Sequence, residues 1–231
     1  MADEMMQRTY EEPTLMDASE SHMACLLLLD TSGSMSGEPI EELNNGLNRF
    51  RNEVCEDPKT KRVLDVAIVE FNSNVNVVQE FDSILNMKDV YLQATGGTSM
   101  GAGLRTAIQM VDERYRLYRR AGTEPYKPWI VMITDGEPTD SIEGLSTELA
   151  QLEEEGKLKL WCLAVRGANT ELLYSLTKRV FEIEGYDFTN FFDWVNKSMR
   201  TVSVSSPTED VVLPDIEGNL KVAERRLPSD W

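Results

Sequence analysis

The chain has 231 residues, 41% hydrophobic and 27% charged, with a formal net charge of −17. Its length suits one open α/β sheet of about 180 residues with additional ends, and its composition is ordinary for a soluble globular protein. The negative charge keeps such a chain soluble and excludes nucleic acid and anionic membrane surfaces as natural partners, because their phosphates would be repelled.

Residues 1–21 are polar, acidic and aperiodic, and read as an arm. They lack the basic start and apolar stretch of a signal peptide, so a cytoplasmic location is expected. "MACLLLLD" (23–30) is a continuous apolar run, as expected of a central parallel strand buried on both faces, and is too short to cross a bilayer. It ends in an acid followed by hydroxyls: "DTSGSMSGEP". Gly33 and Gly37 would let the backbone bend there. Ile40, Leu43, Leu47, Phe50 and Val54 then recur at helical spacing, with Pro39 tolerated in the first turn.

"RVLDVAIVEFN" (62–72) and "VNVVQEF" (75–81) predict two strands in an antiparallel hairpin. "TGGTSMGAG" (95–103) is a glycine-rich loop feeding a long helix that stops near Gly122. "KPWIVMITDG" (127–136) is a second strongly apolar strand, again ending in an acid. "DSIEGLSTELAQLEEEG" (140–156) predicts a helix opened by a capping box from Asp140 and Glu143. "KLKLWCLAV" (157–165) predicts a buried strand. A helix (169–180), a short strand (180–185) and an amphipathic helix (189–204) follow.

This alternation predicts a Rossmann-like, doubly wound α/β fold. The sheet is mainly parallel and six-stranded, in order 3-2-1-4-5-6 with strand 3 antiparallel and helices on both faces. The domain is placed at residues 22–204, between the arm (1–21) and a proline-punctuated tail (205–231). Cys25, Cys55 and Cys162 are odd in number and far apart, which implies no disulfide framework; Cys25 and Cys162 read as core residues. His22, the single histidine, reads as a surface or boundary residue.

In that strand order the first and fourth strands are neighbours whose connections leave in opposite directions, and ligands bind in the crevice at their carboxyl ends. Asp30 and Asp135 therefore meet there. With Ser32, Ser34 and Thr98 they offer two carboxylates and three hydroxyls, all hard oxygen donors of the kind magnesium takes. In an extended loop, Asp30, Ser32 and Ser34 would project to one side. Any one of these residues could instead serve a turn or a cap.

Asp30-x-Ser32-x-Ser34, then Thr98, then Asp135 resembles the von Willebrand factor type A domain and its metal-ion-dependent adhesion site, in family order and over roughly residues 22–204. The contexts "LLLLDTSGSM", "TGGTSMGAGL" and "IVMITDGEPT" carry the likeness. The compact form and "FFDWVNKSM" are similar to bacterial proteins associated with tellurite resistance and stress response. The resemblance implies that Ser32, Ser34 and, with ligand present, Thr98 bind Mg2+ directly (Mn2+ and Ca2+ are the other candidates). Asp30 and Asp135 would act largely through water. A partner protein's Asp or Glu would complete the coordination.

The implied function is a non-enzymatic, metal-dependent protein-binding module in a stress-response or regulatory complex. The alternative is a regulatory subunit of an ATPase, kinase or chelatase complex. A remote alternative is a serine hydrolase, because Gly97-x-Ser99-x-Gly101 fits the nucleophile-elbow pattern; its only histidine would be His22. No phosphate-binding loop is present. Glu38, Glu137 and Asp140 are candidates for the rim of the site.

Overall fold

The computed structural model describes residues 19–223; the proposed N-terminal arm lies almost wholly outside them. In chain order the elements are β1 (Met23–Asp30), α1 (Glu38–Glu56), α2 (Thr60–Val63), β2 (Leu64–Phe71), β3 (Val75–Ser83), α3 (Met100–Arg120), β4 (Trp129–Thr134), α4 (Leu145–Glu154), β5 (Lys159–Ala164), α5 (Thr170–Leu176), β6 (Val180–Ile183), α6 (Thr189–Ser203) and β7 (Leu220–Val222). They form one sheet of order β3-β2-β1-β4-β5-β6-β7. Pairings from β2 through β6 are parallel, and only the outer strands β3 and β7 run antiparallel.

Burial on both faces explains why β1 is apolar throughout. Cys25, Leu27 and Leu29 pack into a core with α1 and α6, while Leu26 and Leu28 pack into a second core with α3 and α4. Cys25 and Cys162 are buried on opposite faces; burial pushes the Cys25 thiol up to about 12 and raises the Cys162 thiol further. Both behave as core residues.

The seventh strand was not expected from a proline-punctuated tail. The segment after α6 crosses that helix, where Trp194 Nε1 donates to Pro214 O (3.0 Å) and Lys197 meets Glu217 (3.0 Å). Leu213, Ile216 and Leu220 pack on the core, and the chain then pairs along β6. Three apolar residues spaced through the tail supply the burial that its prolines obscured.

His22 also departs from expectation. It is buried, its ring stacks on Tyr118 at 5.5 Å, and Nδ1 lies 3.2 Å from Asp65 Oδ2. The same carboxylate oxygen accepts from Arg114 Nη2 (2.8 Å) and Tyr118 Oη (2.6 Å). This buried polar cluster ties the start of β1 and β2 to the last turns of α3, at the amino ends of the strands. Burial alone would raise the Asp65 pKa; His22, Arg114 and Tyr118 outweigh it and hold the carboxyl below its usual range.

Candidate metal centre

Strand register sets the site. Leu29 pairs with Ile133 across β1 and β4, which places Thr134 beside Asp30 and carries Asp135 one residue further. Asp30, the last residue of β1, is fully buried, as is Ser32; Thr98 is 6% exposed, Asp135 half-buried and Ser34 exposed. The five sequence-predicted residues therefore run from a buried floor to an open mouth.

Asp30 is fixed at both oxygens. Ser32 N donates to Oδ1 (2.8 Å), and Thr134 Oγ1 donates to Oδ2 (2.6 Å). Ser34 Oγ donates to Asp135 Oδ1 (2.7 Å) and lies 2.9 Å from Ser32 Oγ. A chain of hydroxyls thus leads from Ser32 through Ser34 to Asp135. The loop is not extended as alternation required: Gly33–Met35 form a 3-10 turn, and this turn brings Ser32 and Ser34 together.

Thr98 approaches from the other side. A Cβ placed on Gly136 would lie 3.2 Å from Thr98 Oγ1 and 3.6 Å from Asp30 Oδ2, so the threonine hydroxyl and the buried carboxylate both flank this glycine. The Thr98 loop is held by Ser73 Oγ, which accepts from Gly97 N (2.8 Å), and by Gly33 N donating to Gly96 O (3.0 Å). All five residues come to the carboxyl ends of β1 and β4.

Burial raises the pKa of Asp30, only partly offset by the bonds from Ser32 and Thr134. Burial also raises that of Asp135; the Ser34 bond opposes it and the charge of Asp30 reinforces it. No cationic side chain of the described residues is among the groups that shift either carboxyl. Among the described residues no three His, Cys, Asp or Glu side chains gather to hold a metal, so any cation here would depend on hydroxyl oxygens. Two carboxylates that repel one another, with the linked hydroxyls of Ser32 and Ser34 and the nearby hydroxyl of Thr98, fit a hard divalent cation: charge neutralises the pair and neutral oxygens fill the remaining positions.

Sequence reasoning missed Thr134 and misplaced Asp140. Thr134 is the one hydroxyl in the apolar run of β4, which was its available signal. Asp140 does not open α4, which begins at Leu145 after Gly144. Its carboxylate instead accepts from Gly101 N (2.9 Å) and Ala102 N (2.8 Å) at the start of α3. Glu38 and Glu137 are exposed near the mouth, Glu137 accepting from Asn169 Nδ2 (3.0 Å).

The hydrolase alternative meets a geometric obstacle. Ser99 sits at φ −78°, ψ 58° at the entry to α3, without the strain of a nucleophile elbow. His22 belongs to the opposite end of the sheet, separated by the length of β1, about 25 Å at the usual rise per residue. The two cannot exchange a proton.

The model of the von Willebrand factor type A domain family matches residues 26–194. A Synechocystis sp. relative, uncharacterized protein sll0103, is 25% identical over 142 residues, covering 59% of this chain and 30% of that protein. The chain thus spans less than a third of that relative. A von Willebrand factor type A structure from Catenulispora acidiphila aligns with a TM-score of 0.59 at 16% identity, covering 78% of this chain and 43% of the other. Proximal thread matrix protein 1 from the mussel byssus, solved with a zinc-occupied MIDAS motif, aligns with a TM-score of 0.54 at 20% identity, covering 80% and 45%. Among the described residues no helix is long and apolar enough to cross a membrane.

Proposed function

Since the chain belongs to the von Willebrand factor type A domain family, we propose that it is a non-enzymatic module that binds a divalent cation and uses it to dock an acidic residue of a protein partner. The observation that carries this reading is the convergence of two mutually repelling carboxylates and linked hydroxyls at the carboxyl ends of β1 and β4. The zinc-occupied MIDAS motif of the mussel byssus protein supports the same chemistry.

Ser32, Ser34 and Thr98 would hold the ion, with Asp30 and Asp135 balancing its charge; Mg2+ is the proposed metal. The cation supplies the positive charge that a partner carboxylate seeks. Neutral hydroxyls around it leave that charge less quenched than carboxylates would, which favours the incoming acid. The mouth also carries exposed Glu38 and Glu137, and the whole chain is strongly acidic. A partner that presents only acids would be repelled, so its docking Asp or Glu is flanked by Lys or Arg.

Affinity capture from lysate in Mg2+ and in EDTA, followed by mass spectrometry, tests this. The expected outcome is a partner retained in Mg2+, released by EDTA, and weakened as salt rises and the Debye length falls below about 10 Å. A partner held equally well in EDTA would overturn metal-dependent docking.

A further inference from the structure

On the metal-site reading above, we infer that Thr139, Asp140 and Arg105 form a clamp that positions Thr98 against Asp135, so that cation affinity depends on residues that do not touch the cation. The loop leaving β4 begins with Asp135 and then doubles back onto the entry of α3. Thr139 N donates to Thr98 O (2.9 Å), and Thr98 N donates to Thr139 Oγ1 (3.1 Å). Thr98 is thereby gripped at both its backbone groups by one residue.

Asp140 completes the grip. The first N–H groups of a helix lack partners within it, and those of Gly101 and Ala102 are taken by the two oxygens of Asp140. A carboxylate is favoured at that end of a helix. Here it comes from a different loop, so an ordinary cap becomes a tertiary link. Arg105, one turn along α3, returns two bonds to the loop, to Ser141 O (2.9 Å) and Glu143 O (3.1 Å). The segments touch backbone to backbone: a Cβ on Gly101 would lie 2.2 Å from Ser141 O. Thr98 is therefore tied to the loop that begins with Asp135, while Ser32 and Ser34 arrive on another loop that meets these two through Gly33 N–Gly96 O and Ser34 Oγ–Asp135 Oδ1. Magnesium demands near-ideal octahedral geometry, so loosening the tie to Thr98 misplaces one of its oxygens.

A double-mutant cycle read by magnesium calorimetry tests the clamp on the full chain. Asp140→Ala is expected to weaken magnesium binding by about tenfold, the effect of removing a group that orients a ligand. The same substitution added to Thr98→Ala is expected to cost almost nothing more, because its effect passes through Thr98. Asp140→Asn, which keeps one acceptor, should recover part of the loss. Should Asp140→Ala fail to fold, Thr139→Val takes its place in the cycle. A loss of equal size with and without Thr98, or no loss at all, would overturn the clamp and leave the metal site standing. Failure of the unmodified chain to bind magnesium would overturn both.

Discussion

Asp65→Ala is expected to destabilise the fold by about 3–5 kcal/mol, the cost of removing one partner from a buried ion pair. One oxygen of Asp65 serves His22, Arg114 and Tyr118, and Arg114 is itself buried beneath Phe81 and over Tyr118. Without the carboxylate a guanidinium is left inside the protein with its charge uncompensated. At about 2–4 °C per kcal/mol for a domain of this size, the melting midpoint should fall by roughly 6–20 °C. Replacing Arg114 with Met in the same variant should return part of that loss, because the orphaned charge is then gone.

The pH dependence follows from the direction of the Asp65 shift. Its folded pKa is depressed, so its contribution is fully present above the unfolded value of about 3.9. It is lost as pH falls through the lower folded value. Denaturant melts of the parent and Asp65→Ala should therefore differ most near neutral pH and converge in strong acid. A constant difference down to the acid limit would show that the carboxylate charge is not what Asp65 contributes.

Asp30→Ala is expected to lower magnesium affinity by about 10- to 100-fold, the range for losing a group that orients or balances a metal's ligands, while leaving the fold intact. The variant loses half the negative charge of the site, together with the acceptor of Ser32 N and Thr134 Oγ1. Those two donors are then unsatisfied, at about 1–3 kcal/mol each. The repulsion with Asp135 disappears, as does the cost of burying a carboxylate, and these gains offset the loss. A thermal melt separates the two consequences. Magnesium at 100 times its dissociation constant stabilises a single-site protein by about 2.7 kcal/mol. The parent midpoint should accordingly rise by roughly 5–10 °C, whereas at the same magnesium concentration Asp30→Ala, binding about 10 to 100 times more weakly, should gain only about 0.4–1.4 kcal/mol and rise by roughly 1–6 °C. An equal rise in both would remove Asp30 from the site.

Much of the fold was legible because its physics is local and periodic. A run such as "LLLL" has to be covered on both faces, and two such runs ending in Asp30 and Asp135 located the crevice. What escaped detection depended on contacts between distant segments. The capping-box spacing at Asp140 and Glu143 was real, yet the loop turned Asp140 toward α3, 39 residues earlier in the chain. Spacing shows what a side chain could cap, but not which helix lies nearest.

The buried cluster did leave a trace. Leu104, Ala107, Val111, Arg114 and Tyr118 form one buried stripe of α3, so Arg114 stood on an apolar face and needed an acid. Asp65 was one of two acids, with Glu70, inside an apolar strand, and the one that the structure buries. His22, at the boundary of β1, offered no such pattern. In the loop after Asp30, alternation correctly associated Ser32 with Ser34 through an incorrect geometry, since a 3-10 turn rather than an extended chain brings their hydroxyls together.

Crystals soaked in a saturating manganese salt, with data collected at a wavelength where manganese scatters anomalously, give the most direct view of whether these oxygens share an ion. The expected map holds one strong peak between Ser32 Oγ, Ser34 Oγ and Thr98 Oγ1. A map with no peak there, while the loops keep the arrangement described above, would contradict the metal centre.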